Sequence, residues 1–308
     1  MMTGEGVNKS GDRLLFVASL LVFLLLLAFP AAVADGVRSG LSLSYRAVIP
    51  AVFPSIVLTS LLFSRSGGLI ERTVGRVFSH LFRVSPRGAV AYVAGLLAGF
   101  PVGAVTVAND VRAGRLTREE GEHLLAFVNN TGPAFLVGGI GVSTFGSARV
   151  GWSLYLLQIA VSLAVGLLFR PRRSFPITCR ENPGTGGIDP VTAIVSASGT
   201  SVGIVGFVCF FSALSSLISR FLPLGLPLAA ASAVLEIGTG AARAASLASP
   251  FPAYPLVAFA VCFSGLSVHF QTFSAVKEAG IVAKKYLRAK MTAGVLSFVV
   301  ASIFCLTK

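Results

Sequence analysis

Acidic side chains are scarce in this chain. Its 308 residues hold 12 Asp and Glu against 25 Lys and Arg, a formal net charge of +13. Cysteine and histidine are scarcer still, with four Cys (Cys179, Cys209, Cys262, Cys305) and three His. No C-x-x-C spacing occurs, so neither a disulfide framework nor a zinc site is indicated. Small buried apolar thiols are the expected state of these cysteines. No Ser/His/Asp set, no pair of catalytic carboxylates and no phosphate-binding Gly loop after a strand is visible. The chain is therefore not expected to be an enzyme, and no metal or cofactor is expected. Basic blocks interleaved with aromatics are also missing, which sets nucleic acid aside as a partner despite the charge.

Apolar side chains are abundant: 54% of the residues are apolar, 12% are charged, and the mean hydropathy is +0.83. Several stretches approach the roughly 20 apolar residues of a spanning helix. The charges cluster between those stretches, as the positive-inside rule asks of a membrane protein in a lipid bilayer. Lys9 and Arg13 precede an apolar run over 14–33, and Ala32-Val33-Ala34 resembles a signal-peptidase site. The run is longer than the roughly 7–15 residues of a signal core, so an uncleaved first helix is favoured.

Residues 47–63 are apolar, with Pro50 and Pro54 bending the first turns. Residues 64–88 carry Arg65, Arg72, Arg76, Arg83 and Arg87 against Glu71, with apolar residues at helical spacing. That pattern predicts an amphipathic helix in the cytoplasmic interface. A spanning segment is expected over 89–107, where Gly99-Phe100-Pro101-Val102-Gly103-Ala104 marks a kink or a close helix approach. Thr117-Arg118-Glu119-Glu120 fits a capping box. Residues 150–169 span again, and the Gly- and Pro-rich 170–190 reads as a linker. Beyond it lie apolar segments over 191–218, 224–247 (interrupted at Glu236) and 254–261, a small-polar stretch over 264–272, a basic run over 277–290, and a last apolar segment over 291–306.

The most informative feature is Asn129-Asn130-Thr131-Gly132-Pro133. Two amides, a hydroxyl, a Gly and a Pro interrupt an apolar run, and such groups are costly in hydrocarbon unless they line a cavity. Pro133 has no N–H to donate and disfavours helix at Gly132, so a helix stops and restarts here. Discontinuous helices of this kind build midplane sites in transporters. The halves share an order of features: Gly99–Ala104 matches Glu236–Ala241, and 130–133 matches 264–267. If the basic segments 64–88, 170–190 and 277–290 are all cytoplasmic, the short arms around Asn130 cannot both cross. They are expected to form a re-entrant hairpin, with 264–272 as a second hairpin from the opposite side. The expected fold is an all-α polytopic membrane protein. It has a leading helix (1–40) and two inverted repeats (41–169 and 191–308) joined by the linker 170–190. Each repeat has about three spanning helices and one re-entrant hairpin.

Candidate substrate-binding residues are Asn129, Asn130, Thr131, Gly132 and Pro133, with Ser267, His269 and Gln271 in the second hairpin. The restarting helix at Pro133 offers unpaired N–H groups to an anion; the competing reading is a packing break satisfied by neighbouring helices. Glu236 and Arg243 are charges inside an apolar segment, which marks both as functional candidates. Glu236 is the coupling candidate, for a proton or a sodium ion, and Arg243 a partner for an anionic substrate. The alternatives are a helix cap for Glu236 and an interfacial side chain for Arg243. His269 can bind substrate, take a proton, or make a structural hydrogen bond. Pro101, Gly103, Gly238 and Gly240 are the expected helix-break residues. A homo-oligomer is left open.

With Gly99–Ala104, Leu116-Thr117, Asn129–Phe135 and Gly265–Gln271, the chain resembles the sporulation integral membrane protein YlbJ family, also called stage V sporulation protein V, over roughly 40–305. That family is related to the nucleoside-recognition or Gate domain of concentrative nucleoside transporters and ferrous-iron transport protein B. The resemblance implies an inverted-repeat transporter fold and a role in endospore formation, moving dipicolinic acid from the mother cell across the outer forespore membrane. The GTPase domain of the iron transporter is not among these residues, so iron is not the expected cargo. Dipicolinate, a planar dianion, suits a helix N-terminus, Arg243 and the amides of Asn129, Asn130 and Gln271. A nucleoside or nucleobase carrier and a non-transporting scaffold of a sporulation complex are the alternatives.

Overall fold

A computed structural model describes residues 9–175 and 187–307, and among these there is no strand. Cys179 and much of the expected linker lie outside the described residues. Fourteen helices are labelled here in chain order. α1 (Lys9–Ala28) ends at Phe29, and α2 (Pro30–Leu43) passes through one wide π turn, Ser44–Val48, into α3 (Ile49–Phe82). α4 is Arg87–Ala98, α5 Val102–Arg112 and α6 Arg118–Val128. α7 is Ala134–Phe145, wound as a π-helix over Ala134–Val142, and α8 is Ala148–Leu168. α9 (Pro190–Ile218), α10 (Leu226–Leu235), α11 (Ile237–Ala245), α12 (Pro250–Phe263), α13 (Gly265–Lys277) and α14 (Lys284–Leu306) complete the set.

Among the described residues, five stretches are long and apolar enough to cross a membrane: Pro30–Ser64, Ala148–Leu168, Pro190–Ile218, Pro250–Lys277 and Lys284–Leu306. Two expectations at the N-terminal end change. Residues 14–33 are not one helix, because the chain breaks at Phe29–Pro30, where the proline opens α2 as its first residue. The amphipathic segment after 64 is not a separate helix either, since α3 runs unbroken for 34 residues. Its distal part still has two faces, with Phe78 and Phe82 buried and Leu69, Val74 and Val77 exposed.

The larger correction concerns which segments turn back. α4 and α5 fold onto each other: a Cβ placed on Gly95 would lie 3.3 Å from Gly103 Cα across the turn at Gly99–Pro101. Their 12 and 11 residues reach only about 16–18 Å, well short of the ~30 Å hydrocarbon core. α10 and α11 repeat the arrangement, with Gly240 against Ala233 across Glu236. These are the two helical hairpins. The expected span over 89–107 is therefore a hairpin, as is the segment 224–247.

Asn129–Pro133, by contrast, is not a hairpin tip. α6 and α7 run end to end along α8, in antiparallel register. Gly151 of α8 meets Val137, Gln158 meets Thr131 and Gly166 meets Phe127. α12 and α13 lie along α14 in the same way: Ser297 meets Ala258, Gly294 meets Phe263 and Tyr286 meets His269. Each arm is short, but the two arms in line reach about 40 Å for 118–145, the length of a membrane crossing. The breaks at 129–133 and at Ser264 therefore lie between helices in line and not at fold-back tips.

Packing of α2 on α9 depends on two glycines four residues apart. A Cβ on Gly36 would sit 2.5 Å from Ala213 Cα, and one on Gly40 2.8 Å from Cys209 Cα. Small residues at this spacing let two helix backbones touch in a membrane. Gly36→Leu should separate α2 from α9 and cost about 1–3 kcal/mol. A lowered melting midpoint of the detergent-solubilised protein is the readout. Gly199→Leu, whose Cβ has nothing within 4 Å, is the control expected to leave the midpoint in place.

The capping box is only half formed. Thr117 accepts from the Glu120 amide at 3.1 Å, but the Glu120 carboxylate turns to the Ser85 amide at the start of the first hairpin. That hairpin end is also held by charge. Asp110, 1% exposed, pairs with Arg87 at 2.8 Å and Arg115 at 2.7 Å, and Arg87 reaches Glu71 of α3 at 2.6 Å.

Candidate functional site

The two hairpin tips and the two in-line helix breaks meet in pairs. The tip of the first hairpin touches the break of α6/α7: a Cβ on Gly99, where φ is +83°, would lie 2.6 Å from Gly132 N. Only a residue without a side chain fits that contact. The tip of the second hairpin touches the break of α12/α13, where Gly265 faces Glu236 and the Leu235 carbonyl. Between the two pairs lies a cavity of about 50 Å³, walled by Gly99, Phe100, Thr131, Gly132, Ala134 and Phe135 on one side. Glu236, Ile237, Ser267, Val268 and Gln271 close the other side, and α3 and α9 complete it.

Backbone groups at the first break are satisfied one by one, as burial requires. Asn130 Nδ2 donates to the Phe127 carbonyl at 2.8 Å. Gln158 of α8 clamps Thr131, its Oε1 accepting from the Thr131 amide and its Nε2 donating to the Thr131 carbonyl, both at 2.9 Å. The Leu136 amide donates to the Gly132 carbonyl at 3.1 Å. Lys290 of α14 donates to the Asn129 carbonyl. Asn129 Nδ2 donates to Thr272 Oγ1 at 2.7 Å, and Tyr286 OH links that hydroxyl to His269 Nδ1. One polar chain thus ties the first broken helix to the second and to α14.

The candidates separate by position. Thr131, Gly132, Ser267, Gln271 and Glu236 reach the cavity wall, and Pro133 opens α7 beside it. The Thr131 hydroxyl is buried there without a partner. Glu236 makes the helix cap that was its alternative reading: its carboxylate accepts from the Gly238 and Thr239 amides of α11 at 3.0 and 2.6 Å, and the residue also lines the cavity. Asn129 and Asn130 are spent on the break, and His269 points to Tyr286 on α14, away from the cavity. Arg243 sits at the far end of α11 in a separate cleft of about 410 Å³ with Ser219, Leu224 and Leu228. Pro101 lies at the first hairpin tip, but Gly103, Gly238 and Gly240 are inside helices. The second tip is Glu236 itself.

Two of the half-helices facing the cavity, α7 and α13, begin without a side-chain cap, whereas α11 is capped by Glu236. Uncapped N-termini present unpaired amides and partial positive charge. Beside the cavity, one turn further along α3, α4 and α9, a vestibule of about 790 Å³ widens toward Arg87, Asp110 and Arg115. Thr59, Ser60, Thr106, Asn109, Ser196 and Thr200 make it polar.

Lys290, Gln158, Thr272 and Tyr286 are the participants that the sequence reading missed. In the sequence Lys290 is simply the last residue of the basic run 277–290. Its signal was spacing: Tyr286, Ala289, Lys290, Ala293, Gly294 and Ser297 make one buried face of α14. Gln158 lies likewise on the buried stripe of α8 with Leu154, Val161 and Val165.

Spanning helices, two hairpins and a cavity at four helix breaks define an all-helical integral membrane protein. Over 95% of its length the chain is similar to the sporulation integral membrane protein YlbJ of Bacillus subtilis (strain 168), with 27% identity across an alignment of 344 positions that takes in 83% of that protein. No protein-family model matches the chain, and no solved structure matches it.

Proposed function

We propose that this chain is a sporulation membrane protein of the YlbJ family and carries a small anionic aromatic solute, dipicolinic acid, across the outer forespore membrane. The observation that carries the reading is the cavity at the meeting point of four helix breaks, because irregular backbone at membrane depth is tolerated where it lines a solute path. Two uncapped helix N-termini, α7 and α13, suit the two carboxylates of a planar dianion. Phe100 and Phe135 supply an apolar wall for its ring. Glu236 is the proton carrier, since a dianion passing it favours its neutral form.

The order of elements supports two inverted repeats. α3 to α8 read long helix, hairpin, broken helix, long helix, and α9 to α14 read the same. Each repeat then has three crossings, so the second enters the membrane reversed. At about 50 Å³ the cavity holds only one or two waters. The solute site is therefore contracted in this conformation, with the vestibule at Arg87 as the open side. Movement of the hairpins against α3 and α9 joins the cavity first to that vestibule and then to the cleft at Arg243.

Proteoliposomes containing the purified protein should accumulate labelled dipicolinate. Thr131→Val combined with Gln271→Leu should reduce uptake at least ~10-fold at unchanged insertion, the loss of about one charge-assisted hydrogen bond. Uptake of a nucleoside in place of dipicolinate overturns the substrate, and uptake of neither overturns transport.

A further inference from the structure

Lys290 is 3% exposed, and among the described residues no carboxylate pairs with it. A buried ammonium without a counter-charge is costly, so the surroundings must compensate it. They do so with the end of a helix. Its Nζ donates to the carbonyl of Asn129, the residue that closes α6, and lies 5.4 Å from the centre of the Phe100 ring. α6 stops there in an extended conformation, with Asn129 at φ −90° and ψ 93°. Its terminal carbonyls therefore gather partial negative charge, about half an elementary charge, inside the protein. Broken half-helix ends of this kind coordinate cations in membrane carriers.

We infer that Lys290 is a tethered cation filling a monovalent-cation site at the broken end of α6. A dissociable ion would leave that carbonyl end unbalanced whenever it departed, whereas an ammonium fixed to α14 does not depart. It also pins the first broken helix to the helix that carries the second. The site needs no sodium while the lysine is present. Cutting the lysine back frees the Asn129 carbonyl next to a small void lined by Asn130, Gln158 and Ser162, whose amide and hydroxyl oxygens offer further ligands to a small alkali cation.

The test reads stability alone, so it stands or fails independently of what the protein transports. Melting midpoints are measured on the purified full chain at one ionic strength in sodium, potassium and choline chloride. The wild type should show the same midpoint, within ~1 °C, in all three. Lys290→Ala should melt several degrees lower in choline and regain at least about 4 °C in sodium or potassium, as a site that binds only the folded state requires. Lys290→Met, which fills the space without charge, should melt lower in every salt and gain nothing from the small cations. The inference is overturned if sodium selectively stabilises the wild type, or if Lys290→Ala responds equally to all three salts. It is also overturned if Lys290→Met matches the wild type, and this arm decides should the alanine variant not fold.

Discussion

Gly95→Ala is expected to lower the folded fraction of the protein markedly. The added methyl would lie 2.0 Å from the carbonyl oxygen of Val128, inside any tolerable contact, and that oxygen belongs to backbone that cannot step aside. Gly103, on the other arm of the hairpin, meets the same oxygen at 2.4 Å. The first hairpin thus holds the end of α6 between two bare backbones. Inserting a methyl must push the hairpin away from the break, and overpacking of a rigid contact costs about 1–3 kcal/mol or more. The fraction running as a monodisperse species on size exclusion after solubilisation reads the loss. Because both glycines touch one carbonyl, Gly95→Ala and Gly103→Ala together should cost less than the sum of the two. Additive losses would mean that the two arms do not grip the same atom.

That pair of glycines also shows where sequence reading succeeded and where it stopped. The polar break at Asn129–Pro133 was legible, because Pro133 lacks a donor and five polar or helix-breaking residues interrupt an apolar run. The second break, at Ser264, was legible by analogy of order. Which segments return and which cross was not legible. Residues 89–107 have the length of a span, whereas the arms around Asn130 look too short. Length cannot tell an in-line break from a fold-back, since both leave two short helices. The deciding information is tertiary: Gly95 faces Gly103 across a turn, while 127, 131 and 137 lie in register along α8. The same limit applies to the site. Glu236 was visible as a charge in an apolar run, but Lys290 merged into a basic run. Arg243 lies about 10 Å along α11 from Glu236, at the other end of the hairpin arm.

Gln158→Leu is expected to have the second large effect, and its contrast with Gln271→Leu separates architecture from site. Gln158 alone holds both backbone groups of Thr131, at 2.9 Å each. Leucine fills a similar volume and strands a buried N–H and a buried carbonyl. At about 1–3 kcal/mol for each unsatisfied group, the loss is about 2–6 kcal/mol. With one kcal/mol worth about 2–4 °C in a large chain, the melting midpoint should fall by at least about 4 °C. Gln271 lines the cavity, and its hydrogen bond, to Ser267 at 3.4 Å, is at the weak limit. Its replacement should leave the midpoint nearly in place and act on solute uptake instead. A Gln271 variant that melts as low as the Gln158 variant would make the cavity wall part of the scaffold. A Gln158 variant of wild-type stability would mean that the break at Thr131 is held by something other than the α8 clamp.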